Sequence, residues 1–417
     1  MAEAASDQEA QDQGQQASAA NELVLKIEGA SYTFHDEGGA ALEESSDSAV
    51  SLGTQLLTIE SQSGERKGFG YRDISSIGRS EYSAKLVLSE GYSFELRSLG
   101  EKYDDFMRLL YALRNDQYVS DLLIDEGSPT FSTRGRIAFP EDEDDGEIRV
   151  YKTRLGFFQD GGRRLEIARL SEITSFAFKD YEAKFSVQED RGARGSRKWS
   201  VTLSQLGESY DAFVRSFQSA NRELQSEISS LIRGVCPTIS FTSALKLSKV
   251  LLDGRTARLE EVRNIAPDFA KSFEAQIGVE GSVHGSIEYL LSLGDAAETL
   301  IGAKKFVSDY LFLLIPIRGK QIVAFESNEK GHATYFFRAT LEEMTVIVVA
   351  GLREGNFRRE PIYLSENDLL KPQYQRYNHA LKRLDSLREL RSRFIGRAFH
   401  SDFETWKSQT DAIVSKN

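Results

Sequence analysis

The chain has 417 residues, a formal net charge of −12, 40% hydrophobic and 10% aromatic residues, and one cysteine. This length implies two or three domains and a core that needs no covalent staple. The acidity argues against wrapping nucleic acid or an anionic membrane, and the lone Cys236 excludes an intrachain disulfide and points to a reducing, cytoplasmic setting.

Residues 1–20 are mostly Ala, Gln, Asp, Glu and Ser without an aromatic residue, and read as a disordered tail. No basic region precedes an apolar one there, so no signal peptide is expected. The first unit spans residues 21–120. Leu23, Leu25 and Ile27 alternate with polar residues, and Gln55 to Glu60 and Lys67 to Tyr71 flank a turn at Ser61-Gln62-Ser63-Gly64. Ala84, Leu86 and Leu88, then Tyr92, Phe94 and Leu96, alternate on either side of Glu90-Gly91. Period two over short runs predicts half-buried antiparallel strands. Residues 35–53, rich in Gly, Ala, Ser and acid, are expected to be flexible. Tyr103, Phe106, Leu110 and Leu113 then predict a helix whose start carries Glu101, Asp104 and Asp105.

The second unit, residues 128–234, repeats this order. Leu99-Gly100-Glu101-Lys102-Tyr103-Asp104-Asp105-Phe106 recurs as Leu206-Gly207-Glu208-Ser209-Tyr210-Asp211-Ala212-Phe213, with six of eight positions identical, 107 residues later. Glu81 to Leu88 recurs as Asp180 to Val187 at an offset of 99, which leaves eight extra residues in the second copy. Phe157-Phe158 and Leu165 to Ile167 flank Asp160-Gly161-Gly162, and Trp199, Val201 and Leu203 stand where Tyr92, Phe94 and Leu96 stood. Tyr210, Phe213, Phe217 and Leu224 carry the helical stripe, with Gly234 as its expected cap.

Residues 236–417 read as α+β. Ser243 to Leu252 and Pro267 to Ile277 predict short helices separated by Asp253-Gly254. Strands are expected at about 310–317, 320–326 and 333–338. The longest apolar run, Leu311 to Ile315, is too short to span a bilayer and reads as a buried strand. Thr340 with Glu343 forms a capping box before a helix over 341–353, against the β-branched run Thr345 to Val349. Gln373 to Phe394 predicts one helix, and Ser401 with Glu404 opens the last.

Strands sealed by one amphipathic helix, twice over, resemble the pleckstrin-homology-like (PH-like) superfold. The expected fold class is α+β: two consecutive antiparallel β-barrel or sheet units, each closed by a C-terminal helix, followed by an α+β region. The segment Asn356-Phe357-Arg358-Arg359-Glu360-Pro361-Ile362-Tyr363-Leu364 resembles one in uncharacterised bacterial proteins of similar layout, a family that brings no activity with it.

No phosphate loop, nucleophile elbow or H-E-x-x-H occurs, and the spacing of Gly278, Gly281 and Gly285 does not fit a dinucleotide fingerprint. His35, His284, His332, His379 and His400 are scattered singly. No catalytic, cofactor-binding or metal-binding residue is assigned, and no cofactor is expected. Cys236 reads as a buried thiol. Tyr103-Asp104 and Tyr210-Asp211 read as core anchors with helix-dipole partners. Two charged segments stand out in the second unit: the acidic run Glu141 to Glu147, and Arg191, Arg194, Arg197 and Lys198 in the eight-residue insertion. PH-like folds place these loops at the same open end, so the two are expected to face each other. Lipid-binding members carry basic residues in the first loop; here it is acidic, which argues against phosphoinositide binding. Lys371 to Arg397 holds eight basic residues against two acidic ones, among them Arg376, Arg383, Arg388 and Arg391. With Arg358 and Arg359, these arginines complete the candidate binding surface; docking onto the acidic repeats of the same chain is the alternative reading of the basic segment.

The leading expectation is a non-enzymatic adaptor or scaffold that binds a protein or peptide through tandem PH-like modules. One alternative is binding of basic proteins or nucleic acid, by analogy with the tandem PH-like modules of the histone chaperone FACT. The other is an enzyme using Cys236, His284, His332 or Arg358 and Arg359.

Overall fold

The computed structural model describes residues 21–124, 126–161, 164–190, 196–276, 286–305, 309–327, 333–343 and 360–416. The architecture is mixed α+β. The first unit holds β1 (Leu23–His35), β2 (Ala41–Gly53), β3 (Leu56–Ser61), β4 (Arg66–Gly70), β5 (Ile74–Ser80), β6 (Ser83–Leu88) and β7 (Ser93–Arg97), then helix α1 (Tyr103–Asp121). The seven strands run in the order β4-β3-β2-β1-β7-β6-β5, antiparallel throughout. β4 and β5 are the two edges, so the sheet is open and not a closed barrel. Ile27, Val50, Leu57, Leu86, Phe94 and Leu96 face Tyr103, Phe106 and Leu110 of α1 in one core.

Residues 35–53 are not a flexible stretch. β2 pairs with β1 on one side and β3 on the other. Its first half is polar because that half is largely exposed, while Val50 and Leu52 are buried. Backbone pairing with β1 outweighs poor strand composition in that half.

The second unit repeats the plan with β8 (Phe131–Ala138), β9 (Glu143–Val150), β10 (Arg154–Gln159), β11 (Leu165–Arg169), β12 (Ile173–Lys179), β13 (Glu182–Asp190) and β14 (Ser196–Ser204), then α2 (Tyr210–Val235). The order β11-β10-β9-β8-β14-β13-β12 matches the first sheet position for position. α2 ends at Val235 and is capped by Cys236, so Gly234 is a helical residue, not the cap. The acidic run is mostly strand: Glu143 to Glu147 lie in β9, opposite Ala138 to Arg134 of β8.

The repeated residues have a structural explanation. Gly100 and Gly207 sit at φ +59° and +55°, in space where an added Cβ would touch nothing, so backbone conformation alone calls for glycine. Leu99 and Leu206 are buried beside them. Tyr103 and Tyr210 donate to the carbonyls of Ser83 and Glu182, each at 3.2 Å, and tie the helix start to the preceding hairpin. The tip of each hairpin carries a second tyrosine, Tyr82 or Tyr181, whose ring centroid lies 5.6 or 5.4 Å from that anchor.

The remainder contains α3 (Phe241–Val250), β15 (Thr256–Arg258), α4 (Leu259–Ile265), α5 (Pro267–Gln276), α6 (Ser286–Leu293), β16 (Leu300–Lys304), β17 (Tyr310–Pro316), β18 (Val323–Ser327), β19 (Ala333–Phe337), α7 (Glu360–Tyr363), α8 (Glu366–Leu369), α9 (Gln375–Arg383), α10 (Asp385–Arg393), β20 (Phe394–Phe399) and α11 (Phe403–Lys416). β15 to β20 form a third antiparallel sheet in sequence order. β17 is buried on both faces: Leu311, Leu313 and Ile315 join a core continuous with the second unit, while Tyr310, Phe312 and Leu314 join one with α9 and α10. Residues 373–394 are not one helix. The chain breaks at Leu384 (φ −101°, ψ 99°), and Arg388 of α10 donates to the terminal carbonyls of Leu381 and Lys382 at 2.7 and 2.8 Å. β20 follows directly, a strand the helical pattern hid. Thr340 and Glu343 form the reciprocal capping box, at 2.8 and 3.2 Å. The helix expected after it lies largely outside the described residues, as does the tail 1–20. In the last helix Asp402, not Ser401, accepts the capping N–H, from Thr405 at 2.9 Å. Among the described residues, no helix is long and apolar enough to cross a membrane.

Candidate functional site

The two repeated units meet where α1 lies on the second sheet. Arg114, 3% exposed, donates to the carbonyls of Gln159 and Asp160 at 2.9 and 3.0 Å. Asn115 donates to Glu147 at 2.9 Å, Arg149 pairs with Asp116 at 2.6 Å, and the Tyr118 hydroxyl donates to the Leu165 carbonyl at 2.9 Å. Arg114 and Arg134 both lie 5.6 Å from the ring of Tyr111, and Arg134 also pairs with the Asp160 carboxylate. Hydrogen bonds to ions in a water-poor junction are the strong kind, so the two units are held in one mutual orientation.

Burial decides the charge balance at Asp160 and Arg114. It pushes the Asp160 carboxyl up to about 6, against the pull of Arg134 and Arg114, and pushes Arg114 down to about 10. Burial would raise Glu147 too, but the hydrogen bonds and charge of Arg149 outweigh it and hold that carboxyl below its usual range.

Beside this junction lies a cleft of about 470 Å³, lined by Ser76, Ile77 and Gly78 of β5 and by Asp142, Glu143, Asp144 and Gly161 of the second unit. Ser76 to Gly78 belong to the edge strand of the first sheet, and the carboxylates come from the β8–β9 turn and the start of β9. The lining holds no lysine or arginine. Arg136 pairs with Glu143 at 2.8 Å and Asp145 at 3.2 Å. The Asp144 carboxylate accepts the N–H groups of Asp145 and Gly161 at 2.8 and 3.0 Å.

Of the arginines singled out from the sequence, Arg197 lies on β14 and Arg376, Arg383, Arg388 and Arg391 lie on α9 and α10. Arg191, Arg194, Arg358 and Arg359 lie outside the described residues, as do His284 and His332. Arg197 is on strand β14, paired with Glu166 and with Glu189 at 3.6 Å. Glu166 also takes Arg164 at 3.1 Å, and Arg164 reaches Glu141 at 2.8 Å. This chain of ion pairs puts the start of the acidic run and Arg197 at the same end of the second sheet. Lys198 is exposed. Arg376 donates to the Ser120 carbonyl at 2.8 Å, and Arg383 lies 3.6 Å from the fully buried Asp121 at the end of α1. Arg391 donates to the Pro361 carbonyl at 2.7 Å, and Arg388 caps α9. These four basic side chains therefore make contacts within the chain.

Arg72, Arg114, Asp121, Arg149 and Asp160 carried no signal in the sequence. Their roles come from contacts between residues far apart in sequence, such as Arg72 with Asp121 at 3.3 Å and with His379 at 2.7 Å. Elsewhere, His400 lies 3.1 Å from Glu326 and 3.2 Å from Thr334, which also takes the Trp406 indole N–H at 2.8 Å. Thr334 is fully buried, so this cluster locks α11 onto the third sheet and offers no accessible nucleophile. Cys236 is a buried free thiol, 1% exposed. Among the described residues, no group of three or more His, Cys, Asp or Glu side chains is placed to hold a metal ion.

No protein-family model matches the chain, and no curated protein matches it. Among solved structures, the Spt16D Pob3N heterodimer is similar at 13% identity and a TM-score of 0.18, over 39% of this chain and 82% of that one. A likeness of that size carries no argument about function.

Proposed function

We propose that the chain is a non-enzymatic adaptor or scaffold that binds a protein or peptide, with residues 21–120 and 128–234 as two PH-like modules and residues 236–417 as the third domain that buttresses them. The observation that carries this reading is the junction itself. Two sheets of identical strand order are locked together through the buried Arg114, and the lock leaves the edge strand β5 bordering an open cleft. A strand edge held rigidly in a cleft suits recognition of another polypeptide, because its unpaired N–H and C=O groups are matched by an extended backbone.

Among partner classes, basic protein is favoured over nucleic acid. The cleft offers Asp142, Glu143 and Asp144, whereas Arg376, Arg383, Arg388 and Arg391 already contact groups of the same chain. Reciprocal affinity purification of the full chain from its native host tests the reading. The expected result is the same protein recovered with either partner as bait. Repeated recovery of none would overturn it, and so would a small-molecule turnover abolished by replacing His284 or His332 with Ala.

A further inference from the structure

β5 is the last strand of the first sheet, and among the described residues no strand pairs with its outer edge. The β5–β6 hairpin turns through Glu81 and Tyr82, at φ 36° and 66°, and sets Ser80 opposite Ser83. In such a two-residue hairpin the pair flanking the turn is hydrogen-bonded, and bonded and non-bonded pairs then alternate. Ile77 and Arg79, opposite Leu86 and Ala84, therefore turn their N–H and C=O groups toward the outer edge. Ile77 lies at the cleft. An exposed strand edge is a ready template for a further strand.

The other contributor to the cleft selects the charge of that strand. Asp142, Glu143 and Asp144 come from the neighbouring unit, and Arg136 pairs with Glu143 at 2.8 Å. Asp160, 4% exposed and next to the lining residue Gly161, keeps its Oδ1 without a hydrogen-bond partner. Arg79, beyond the cleft's β5 residues, is hydrogen-bonded to Tyr103 and is drawn to Asp160. The equivalent edge strand of the second unit, β12, instead exposes an aromatic residue, Phe176 at 47%.

We propose that this cleft binds an extended, basic segment of another protein, which adds to β5 as an eighth strand and sets Lys or Arg side chains against Asp142, Glu143 and Asp144. The inference rests on reading the chain as a protein-binding module. Backbone pairing supplies affinity for any extended chain, and the acidic residues discriminate by sign of charge. Nucleic acid would bring phosphates against three carboxylates and has no amide backbone to pair with β5.

The test is fluorescence polarisation of the full chain with three labelled peptides: an alternating Lys-Val-Arg-Val-Lys-Val-Arg, the same peptide with Glu for each basic residue, and the basic peptide with every Val replaced by Pro. Only the first is expected to bind, more weakly as salt rises. The chain carrying Asp142→Asn and Asp144→Asn is expected to bind about tenfold more weakly. Asn keeps one oxygen acceptor at each position, so residue 142 retains its bond from the Glu143 N–H and residue 144 one of its two, from Asp145 or Gly161; an unchanged circular dichroism spectrum of the variant checks that the fold is retained. Arg79→Pro removes an outward N–H without touching the β5–β6 ladder, and should cost a similar factor. A second pair, Phe176→Ser and Lys179→Ala, lies outside the cleft and should leave binding unchanged. Equal binding of the acidic peptide, or full binding by both cleft variants, overturns the cleft while leaving a protein-binding chain intact. Concentration-dependent dimerisation of the unliganded chain that is lost in Arg79→Pro would also overturn it, by assigning the edge to a second copy. Failure of every peptide together with empty reciprocal purifications would instead sink the adaptor reading.

Discussion

Replacing Asp160 with Asn should change how stability depends on pH, in a direction set by the junction. Asp160 is 4% exposed, and burial lifts its carboxyl from the ordinary 3.8 to about 6. Between those values the folded chain holds a proton that the unfolded chain has released, so its contribution to stability falls as pH rises through that window. A shift of about two units corresponds to about 3 kcal/mol, fully present as a penalty at neutral pH. Asn is nearly isosteric, cannot ionise, and can still accept a hydrogen bond from Arg134. The variant should therefore match the wild type within about 1 kcal/mol near pH 4 and gain on it progressively to pH 7, by up to about 3 kcal/mol. Carboxyls held low, such as Glu147, tilt the curve the other way, but they are common to both proteins and cancel in the difference. Urea unfolding at pH 4, 5, 6 and 7, followed by the emission of the buried Trp199 and Trp406, measures it. A difference that stays flat from pH 4 to pH 7, or that favours the wild type increasingly as pH rises, would refute the argument that burial outweighs Arg134 at this carboxyl.

Three further outcomes follow from the same geometry. Asp121→Ala leaves Arg72 and Arg383 facing a vacated buried site, and should cost about 3 kcal/mol in urea unfolding, the low end for a broken buried pair because both arginines are partly exposed. Gly146→Ala would place a methyl 2.3 Å from the Phe158 carbonyl oxygen and 2.7 Å from Ile137, and should lower the melting temperature by several degrees, at a cost of about 1–3 kcal/mol. Gly207→Ala meets no atom within 4 Å, so its cost should be about 1 kcal/mol, from the positive φ alone. If Gly207→Ala proved as damaging as Gly146→Ala, that contrast between strain and clash would be wrong.

Local pattern carried much of the fold. Alternation marked β1, β6 and β7, and three-and-four spacing marked α1 and α2, because burying one face of a strand or helix constrains residues that are close in sequence. The repeat identified a duplicated unit for the same reason: Leu99, Gly100 and Tyr103 answer to a turn, a positive φ and a helix anchor, all local demands that recur at Leu206, Gly207 and Tyr210. β2 was missed because its polar half gains its order from backbone pairing with β1. The break at Leu384 was missed because the apolar spacing continues through it: Leu381, Leu384 and Leu387 stay buried in the same core on both sides of the bend.

What tertiary structure alone decided is the chemistry between units. Arg114 reads as an ordinary surface residue of an amphipathic helix until the second sheet closes over it, and Asp160 as a turn residue until Arg134 and Tyr111 surround it. The arginines of α9 and α10 read as a basic surface, yet Arg376 and Arg383 end on α1, more than two hundred residues upstream. The cleft joins Ile77 to Asp144 from different units, a proximity set by how two sheets pack and by no spacing along the chain. Charge in a sequence says how many ions must be solvated or paired; only the packed fold says which ones are, and therefore which remain to meet a partner.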